Sequence, residues 1–278
     1  MPVSPGAEST SETGSAGGRE YGLRVPPGHD DERESALVVL LHGYGANGEW
    51  QDDYFGLSRL GASEGFLVAL PEGTTDPSGR QFWNATDACC DFYGSGVDDV
   101  AYLDAVLDDV AERYEIDEQR VFLVGHSNGA FMSHRFACDR SGRVAAIVAL
   151  AGMQWSDASR CEAASPVAAL HVHGSDDLIV RYEGGATPAG TYPGAKETVG
   201  TWAAKNDCAG DLSAGGESLD LDRGVPGAET AVERYPECPA GAAELWTIEG
   251  GRHIPAFDDT WAEALWDFLD AHPQPPQP

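Results

Sequence analysis

Mostly apolar runs recur along the chain at Ala36 to Leu41, Phe66 to Leu70, Val121 to Val124, Val144 to Ala149, Val167 to Val172 and Glu244 to Ile248. Short runs without strict alternation suit strands covered on both faces, as in a parallel sheet. Between two of them, Val97, Val100, Leu103, Leu107, Val110 and Tyr114 recur at spacings of three and four, which predicts an amphipathic helix. Further helices are expected at Leu57 to Glu64, after Ser127, at Glu197 to Lys205, and at Phe257 to Ala271, where Trp261, Leu265, Trp266 and Leu269 form the apolar stripe. Strands alternating with helices predict an α/β fold, with a mostly parallel central sheet flanked by helices. A chain of 278 residues can bury one large core as a single domain.

Outside this pattern, Met1 to Glu20 is Ser, Gly, Thr, Pro and Glu with almost nothing apolar. Such a composition predicts a disordered leader over residues 1–20. It has no apolar h-region, so an export signal is expected to lie outside this sequence if the protein is secreted. The tail over 272–278, HPQPPQP, is expected to be extended and disordered. Residues Glu72 to Gly96 read as a long irregular stretch holding Trp83, Asn84, Cys89, Cys90 and Tyr93, and ordered loops of that length are commonly functional. Asp98 and Asp99 fall in the first turn of the helix that follows, where they oppose its dipole.

Charge narrows the partners. Acidic residues number 46 against 17 basic ones, and a surface this negative repels nucleic acid phosphates and anionic membranes, so neither is an expected partner. No apolar run approaches the roughly 18 residues of a membrane span, so no membrane insertion is expected. Self-repulsion at this density is relieved by salt, which makes a saline habitat one reading and plain solubility the other. The six cysteines, Cys89, Cys90, Cys138, Cys161, Cys208 and Cys238, have no CxxC spacing, which argues against a zinc site and for disulfides formed in an oxidising compartment. The expected pairs are Cys208 with Cys238, bracketing a Gly- and Asp-rich insertion, and Cys138 with Cys161. Adjacent Cys89 and Cys90 either form a vicinal bridge or stay reduced.

The candidate chemistry centres on VFLVGHSNGAFMSHRF, Val121 to Phe136. Gly125 and Gly129 flank Ser127 at i−2 and i+2, the GxSxG spacing of a sharp strand-to-helix turn that projects a serine hydroxyl out of the sheet. The amides that follow lie at a helix N-terminus, which favours developing negative charge. A second apolar strand ends in His42-Gly43-Tyr44-Gly45; this is either a simple tight turn or the other half of an oxyanion site. On the latter reading, the backbone N–H groups of Tyr44 and Asn128 are the donors. A carboxylate is offered by HGSDDLIV, with Asp177 chosen over Asp176 because the HGxxD spacing returns it to the site. His253, after Gly250-Gly251-Arg252, is the base. In parallel sheets the sites lie beyond the carboxyl ends of strands, and all these residues fall there. The chain order Ser, Asp, His is that of an α/β hydrolase. Such chemistry requires no metal and no cofactor.

With LVVLLHGYGANG, CCDFYGSGVDDVAYL, VFLVGHSNGAFMSHRFACD, HVHGSDDLIVRYEGG and IEGGRHIPAF in view, the chain resembles the secreted polyhydroxybutyrate depolymerase and feruloyl esterase group of α/β hydrolases, over roughly Gly22 to Ala271. The resemblance implies a catalytic domain over 21–271, a nucleophile at Ser127, an acid at Asp177 and a base at His253. Gly-Arg-His stands where many members show three glycines before a histidine, and Ile254-Pro255 follows where Trp-Pro is common, so the leaving-group side of the pocket is expected to differ. A looser resemblance to polyester-cleaving cutinase-like enzymes makes Trp155 a candidate for stacking on an aromatic acyl group, with Trp83 and His126 as further substrate contacts. The alternative for both tryptophans is plain packing. The implied function is a secreted or extracytoplasmic, monomeric serine carboxylesterase acting on hydroxycinnamoyl-type esters or polyesters, small or polymeric. An aliphatic polyhydroxyalkanoate depolymerase, and a non-catalytic binding protein on a hydrolase scaffold, are the rival readings; peptidase activity is the weakest.

Overall fold

The computed structural model describes residues 8–30 and 32–275. In chain order its elements are β1 (Thr10–Ala16), β2 (Arg19–Val25), β3 (Ser35–Leu41), α1 (Gly48–Phe55), α2 (Leu57–Glu64), β4 (Leu67–Pro71), β5 (Thr74–Thr75), β6 (Gln81–Phe82), α3 (Asp99–Arg113), β7 (Ile116–His126), α4 (Asn128–Asp139), β8 (Ala146–Leu150), β9 (Ala168–Gly174), β10 (Gly185–Ala186), β11 (Thr191–Tyr192), α5 (Ala195–Lys205), β12 (Ser213–Leu219), β13 (Thr230–Arg234), β14 (Ala243–Ile248) and α6 (Asp259–Asp270). One large sheet runs β1-β2-β4-β3-β7-β8-β9-β14-β13-β12. Its centre, β4 to β14, is parallel; the two strands at each end are antiparallel.

Successive side chains of a strand face opposite ways, and β3 feeds two cores accordingly. Leu37, Val39 and Leu41 pack on the side holding α3, α4 and α5. Ala36, Val38 and Leu40 pack on the side of α6, against a cluster with Trp261, Leu265 and Leu269. Burial on both sides is why these strands read as continuous apolar runs.

The leader expected to be disordered over 1–20 is folded from Thr10 onward; Met1 to Ala7 lie outside the described residues. Gly17 and Gly18, at φ 54° and 79°, form the two-residue turn of the β1–β2 hairpin, a turn whose twist matches antiparallel strands. Partners from α3 supply the stability that composition conceals. Tyr21 is buried and donates its hydroxyl to Asp109, Arg113 pairs with Glu12, and Arg19 pairs with buried Asp99 while lying 3.5 Å from the centre of the Tyr102 ring. Asp99 is therefore an ion-pair partner, while Asp98 caps α3 by accepting the Ala101 N–H.

The tail also departs from expectation up to Pro275, the remainder being outside the described residues. Gln274 is buried; its backbone N–H donates to the Gln119 carbonyl and its side-chain amide to the carbonyls of Ser141 and Val144. The cysteines pair as Cys138–Cys161, Cys208–Cys238 and Cys89–Cys90, so the adjacent pair is a vicinal bridge. Between Cys208 and Cys238 the insertion forms β12 and β13, extending the sheet past β14.

Candidate active site

Ser127 stands between β7 and α4 at φ 53° and ψ −118°, a conformation a non-glycine residue adopts only at a cost of about 1–3 kcal/mol. The flanking glycines make that geometry possible. A Cβ on Gly125 would run into the Gly129 carbonyl at the start of α4, and one on Gly129 into the Leu41 carbonyl of β3. Helix and strands can therefore approach closely enough to hold the turn.

The three side chains that the sequence names meet above the sheet. Ser127 Oγ lies 2.9 Å from His253 Nε2, and His253 Nδ1 lies 2.7 Å from Asp177 Oδ2. A carboxylate only accepts, so Nδ1 carries the hydrogen and Nε2 presents its lone pair to the serine hydroxyl. Asp177 Oδ1 accepts the backbone N–H groups of Ile179 and Val180. Burial alone would push the Asp177 carboxyl up, but hydrogen bonds from His173, His253 and the Ile179 amide outweigh it and hold the group well below the usual carboxylate range. Asp176 is exposed, its N–H donating to the Gly251 carbonyl.

The loops carrying Asp177 and His253 are stitched together. The Ser175 N–H donates to the Ile248 carbonyl, and the Gly250 N–H to Ser175 Oγ. His126, expected to contact substrate, lines the cleft but donates its Nε2–H to the His253 carbonyl. Its burial drives the imidazole down to about 4, so it is a neutral strut. Beyond the base, the insertion grips residues 256 and 257. Asp222 Oδ1 accepts the Ala256 N–H, and Arg223 donates to the carbonyls of Ala256 and Phe257.

Beside Ser127, Asn128 is the first residue of α4, so its N–H has no acceptor within the helix. Among the described residues neither that amide nor the amide of Tyr44 meets an acceptor. Trp83 secures both segments. Its indole N–H donates to the His42 carbonyl, its backbone N–H to Asn128 Oδ1, and its carbonyl accepts the Asn128 side-chain amide. His42 is fully buried, donating from Nδ1 to the Gly43 carbonyl and accepting the Gly73 N–H at Nε2; burial lowers it to about 4. Tyr44 donates its hydroxyl to Asp76 at 2.5 Å, and burial together with that bond pushes the phenol up to about 12.

The cleft above Ser127, about 440 Å³, is walled by Tyr44, Trp50, His126, His253 and Ile254. Neither tryptophan named from the sequence is among these. Trp83 is fully buried beneath the His42 and Asn128 segments, its ring packed against His42 and Tyr102. Trp155 is buried in the core under the Arg160 guanidinium, 5.1 Å from its ring centre. Exposed Trp50, on α1 just after HGYGANG, is the aromatic wall that the sequence reading overlooked; a large apolar residue on the polar face of a short helix was its signal.

A sheet with this strand order, an elbow serine after its central strand, and Asp177 and His253 on following strand ends define an α/β-hydrolase fold. The chain belongs to the esterase PHB depolymerase family, whose sequence profile matches residues 19–201. It is 26% identical over 261 residues to feruloyl esterase B of Piromyces equi, covering 90% of this chain and 45% of that relative. It is 30% identical over 182 residues to feruloyl esterase C of Emericella nidulans, covering 63% of this chain and 61% of the relative. The chain thus spans about half to three fifths of the length of these two relatives. Among solved structures, the acetyl xylan esterase from Aspergillus awamori superposes with a TM-score of 0.69 at 16% identity, over 94% of this chain and 99% of that one.

Proposed function

We propose that this chain is a serine carboxylic-ester hydrolase. The observation that carries the reading is the continuous hydrogen-bonded path from Ser127 Oγ through His253 to Asp177, beside two uncommitted amides. In the reaction, His253 Nε2 removes the Ser127 proton as Oγ attacks the ester carbonyl carbon. The amides of Tyr44 and Asn128 receive the oxyanion. Collapse expels the alcohol, protonated by His253, and leaves the acyl group on Ser127. Water, deprotonated by the same nitrogen, then releases the acid and restores the serine.

For the substrate we favour a bulky apolar acyl group, hydroxycinnamoyl or polyester. The large apolar side chains exposed among the described residues are Trp50, Phe92, Tyr93, Leu178, Ile179 and Ile254. Trp50 and Ile254 wall the cleft, Phe92 packs on Tyr44 at 5.8 Å between ring centres, and Leu178 and Ile179 directly follow Asp177. Exposed apolar surface gathered in this way marks a binding face. The names of the feruloyl esterase relatives point the same way, while the family description keeps the aliphatic polyhydroxyalkanoate alternative open. Three disulfides fit an oxidising, extracytoplasmic setting.

The test is a panel of p-nitrophenyl, feruloyl, hydroxybutyrate and aromatic polyester substrates assayed with the wild type and Ser127→Ala. Loss of turnover by about 10⁶ in the variant is expected; equal rates in the two proteins sink the esterase reading.

A further inference from the structure

Behind the acid turn lies a pair of buried imidazoles with no role in the steps above. His171 and His173 are alternate residues of β9 and so point to the same side of the sheet; both are buried. His173 Nε2 lies 2.7 Å from the Val180 carbonyl oxygen and 3.3 Å from Asp177 Oδ2. Both of those oxygens only accept, so Nε2 carries the hydrogen and Nδ1 the lone pair. That lone pair faces His171 Nε2 at 3.1 Å, so His171 must donate. Its own Nδ1 is then unprotonated, which accords with that atom having no partner among the described residues.

Both N–H dipoles of the column therefore point toward Asp177. The oxygen they reach, Oδ2, is the one that receives His253 Nδ1–H. Val180 closes the arrangement: its carbonyl accepts from His173 while its N–H donates to Asp177 Oδ1 at 3.0 Å. One imidazole thus fixes the turn that holds the first carboxylate oxygen and itself reaches the second.

We propose that His173, oriented by His171, is a positioning residue that keeps the Asp177 carboxylate in the one orientation that serves His253. The inference rests on the triad reading above. Packed neighbours enclose the column. The Tyr182 ring stands edge-on to His173 at 5.7 Å, its hydroxyl engaged with Thr247. From α4, His134 stacks on His171 at 5.8 Å and accepts the Trp202 indole N–H. His126 of β7 and His253 complete the set of titratable neighbours, and burial holds His171 well below its ordinary value.

The experiment compares the wild type, His173→Phe and His173→Gln with p-nitrophenyl butyrate from pH 5 to 9. The phenylalanine variant is expected to lose roughly 10- to 100-fold in kcat with KM held within about threefold, since the carboxylate that orients the base is no longer held in place. With one donor to Oδ2 removed, His253 is the side chain left to balance that oxygen while the Ile179 and Val180 amides still hold Oδ1, so the acidic limb of the kcat/KM profile should rise by roughly half a pH unit. Glutamine, whose amide nitrogen reaches the place of Nε2, should restore most of both. An unmoved limb with wild-type kcat in the folded phenylalanine variant overturns the inference, as does a glutamine variant no better than phenylalanine. Should the phenylalanine variant not fold, His171→Phe is measured instead: a limb shift with roughly 3- to 10-fold loss in kcat supports the column, and an unchanged profile overturns it. A wild type no faster than Ser127→Ala would instead sink the triad reading, and this inference with it.

Discussion

Replacing Trp83 with phenylalanine separates a buttress from a substrate platform. The indole N–H of Trp83 is 2.9 Å from the His42 carbonyl, and the ring packs 4.9 Å from His42, centre to centre. Phenylalanine keeps the backbone grip on Asn128 but leaves that carbonyl buried without its donor, at a cost of about 1–3 kcal/mol. The lost ring volume adds about 1–2 kcal/mol. The sum, about 2–5 kcal/mol, does not exceed the lower limit of the 5–15 kcal/mol typical of a domain, so the variant should fold with a lowered urea midpoint. Tyr44 lies two residues beyond His42. Complete loss of one oxyanion donor costs about 10² to 10³ in turnover, so partial misplacement should cost about tenfold in kcat. Because the ring touches no substrate, the factor should be the same for p-nitrophenyl butyrate and methyl ferulate. A rise in KM confined to the feruloyl ester, with kcat and urea midpoint unchanged, would refute the argument.

Burial lowers His42 and His126 to about 4, His134 to about 3 and His171 well below its ordinary value, so between pH 6.5 and 4 the unfolded chain binds protons that the folded one refuses. Stability should therefore be full above pH 6.5 and fall by up to about 5 kcal/mol per pH unit as pH drops toward 4; urea titrations across that range check it, and a flat midpoint contradicts it. Replacing Cys208 and Cys238 by alanine opens a loop with a sequence separation of 30 and should cost about 3.6 kcal/mol in the chain-entropy account, read from the same titration. Trp50→Ala should raise KM about 5- to 30-fold for feruloyl esters and leave acetate esters nearly untouched, since the cleft loses about 1–2 kcal/mol of apolar contact. If the acidic surface is an adaptation to brine, melting temperature should climb from low to molar salt; a flat or falling trend removes that reading.

The parallel centre of the sheet was legible because burial on both faces leaves apolar runs such as ALVVLL, and α2 matches its expected span, Leu57–Glu64. The ends of the sheet were not. In β1 the inward positions are Gly14 and Ala16, small because the Tyr21 ring lies across Gly14, so no hydrophobic period survives. In β12 nearly every residue is exposed, and pairing with β13 rather than burial makes it a strand. Ser127, Asp177 and His253 could be named because their spacings follow from strand ends. The roles of Trp83, Trp155 and His126 could not, since whether an aromatic or an imidazole faces ligand or core depends on partners far along the chain. His173 was in view only as the first residue of the HGxxD spacing, after a run expected to end at Val172; that β9 continues to Gly174 and turns this imidazole onto Asp177 depends on contacts made across the turn.

The clamp formed by Asp222 and Arg223 has a further consequence. The stretch carrying His253 is moored to an insertion at the edge of the sheet that is tied shut by a sulfur cross-link, Cys208–Cys238. Mild thiol treatment should therefore slacken the imidazole's anchorage and slow turnover while the central sheet stays intact. Catalytic competence in such a molecule would report the redox state of its surroundings although no electron ever passes through the reacting centre.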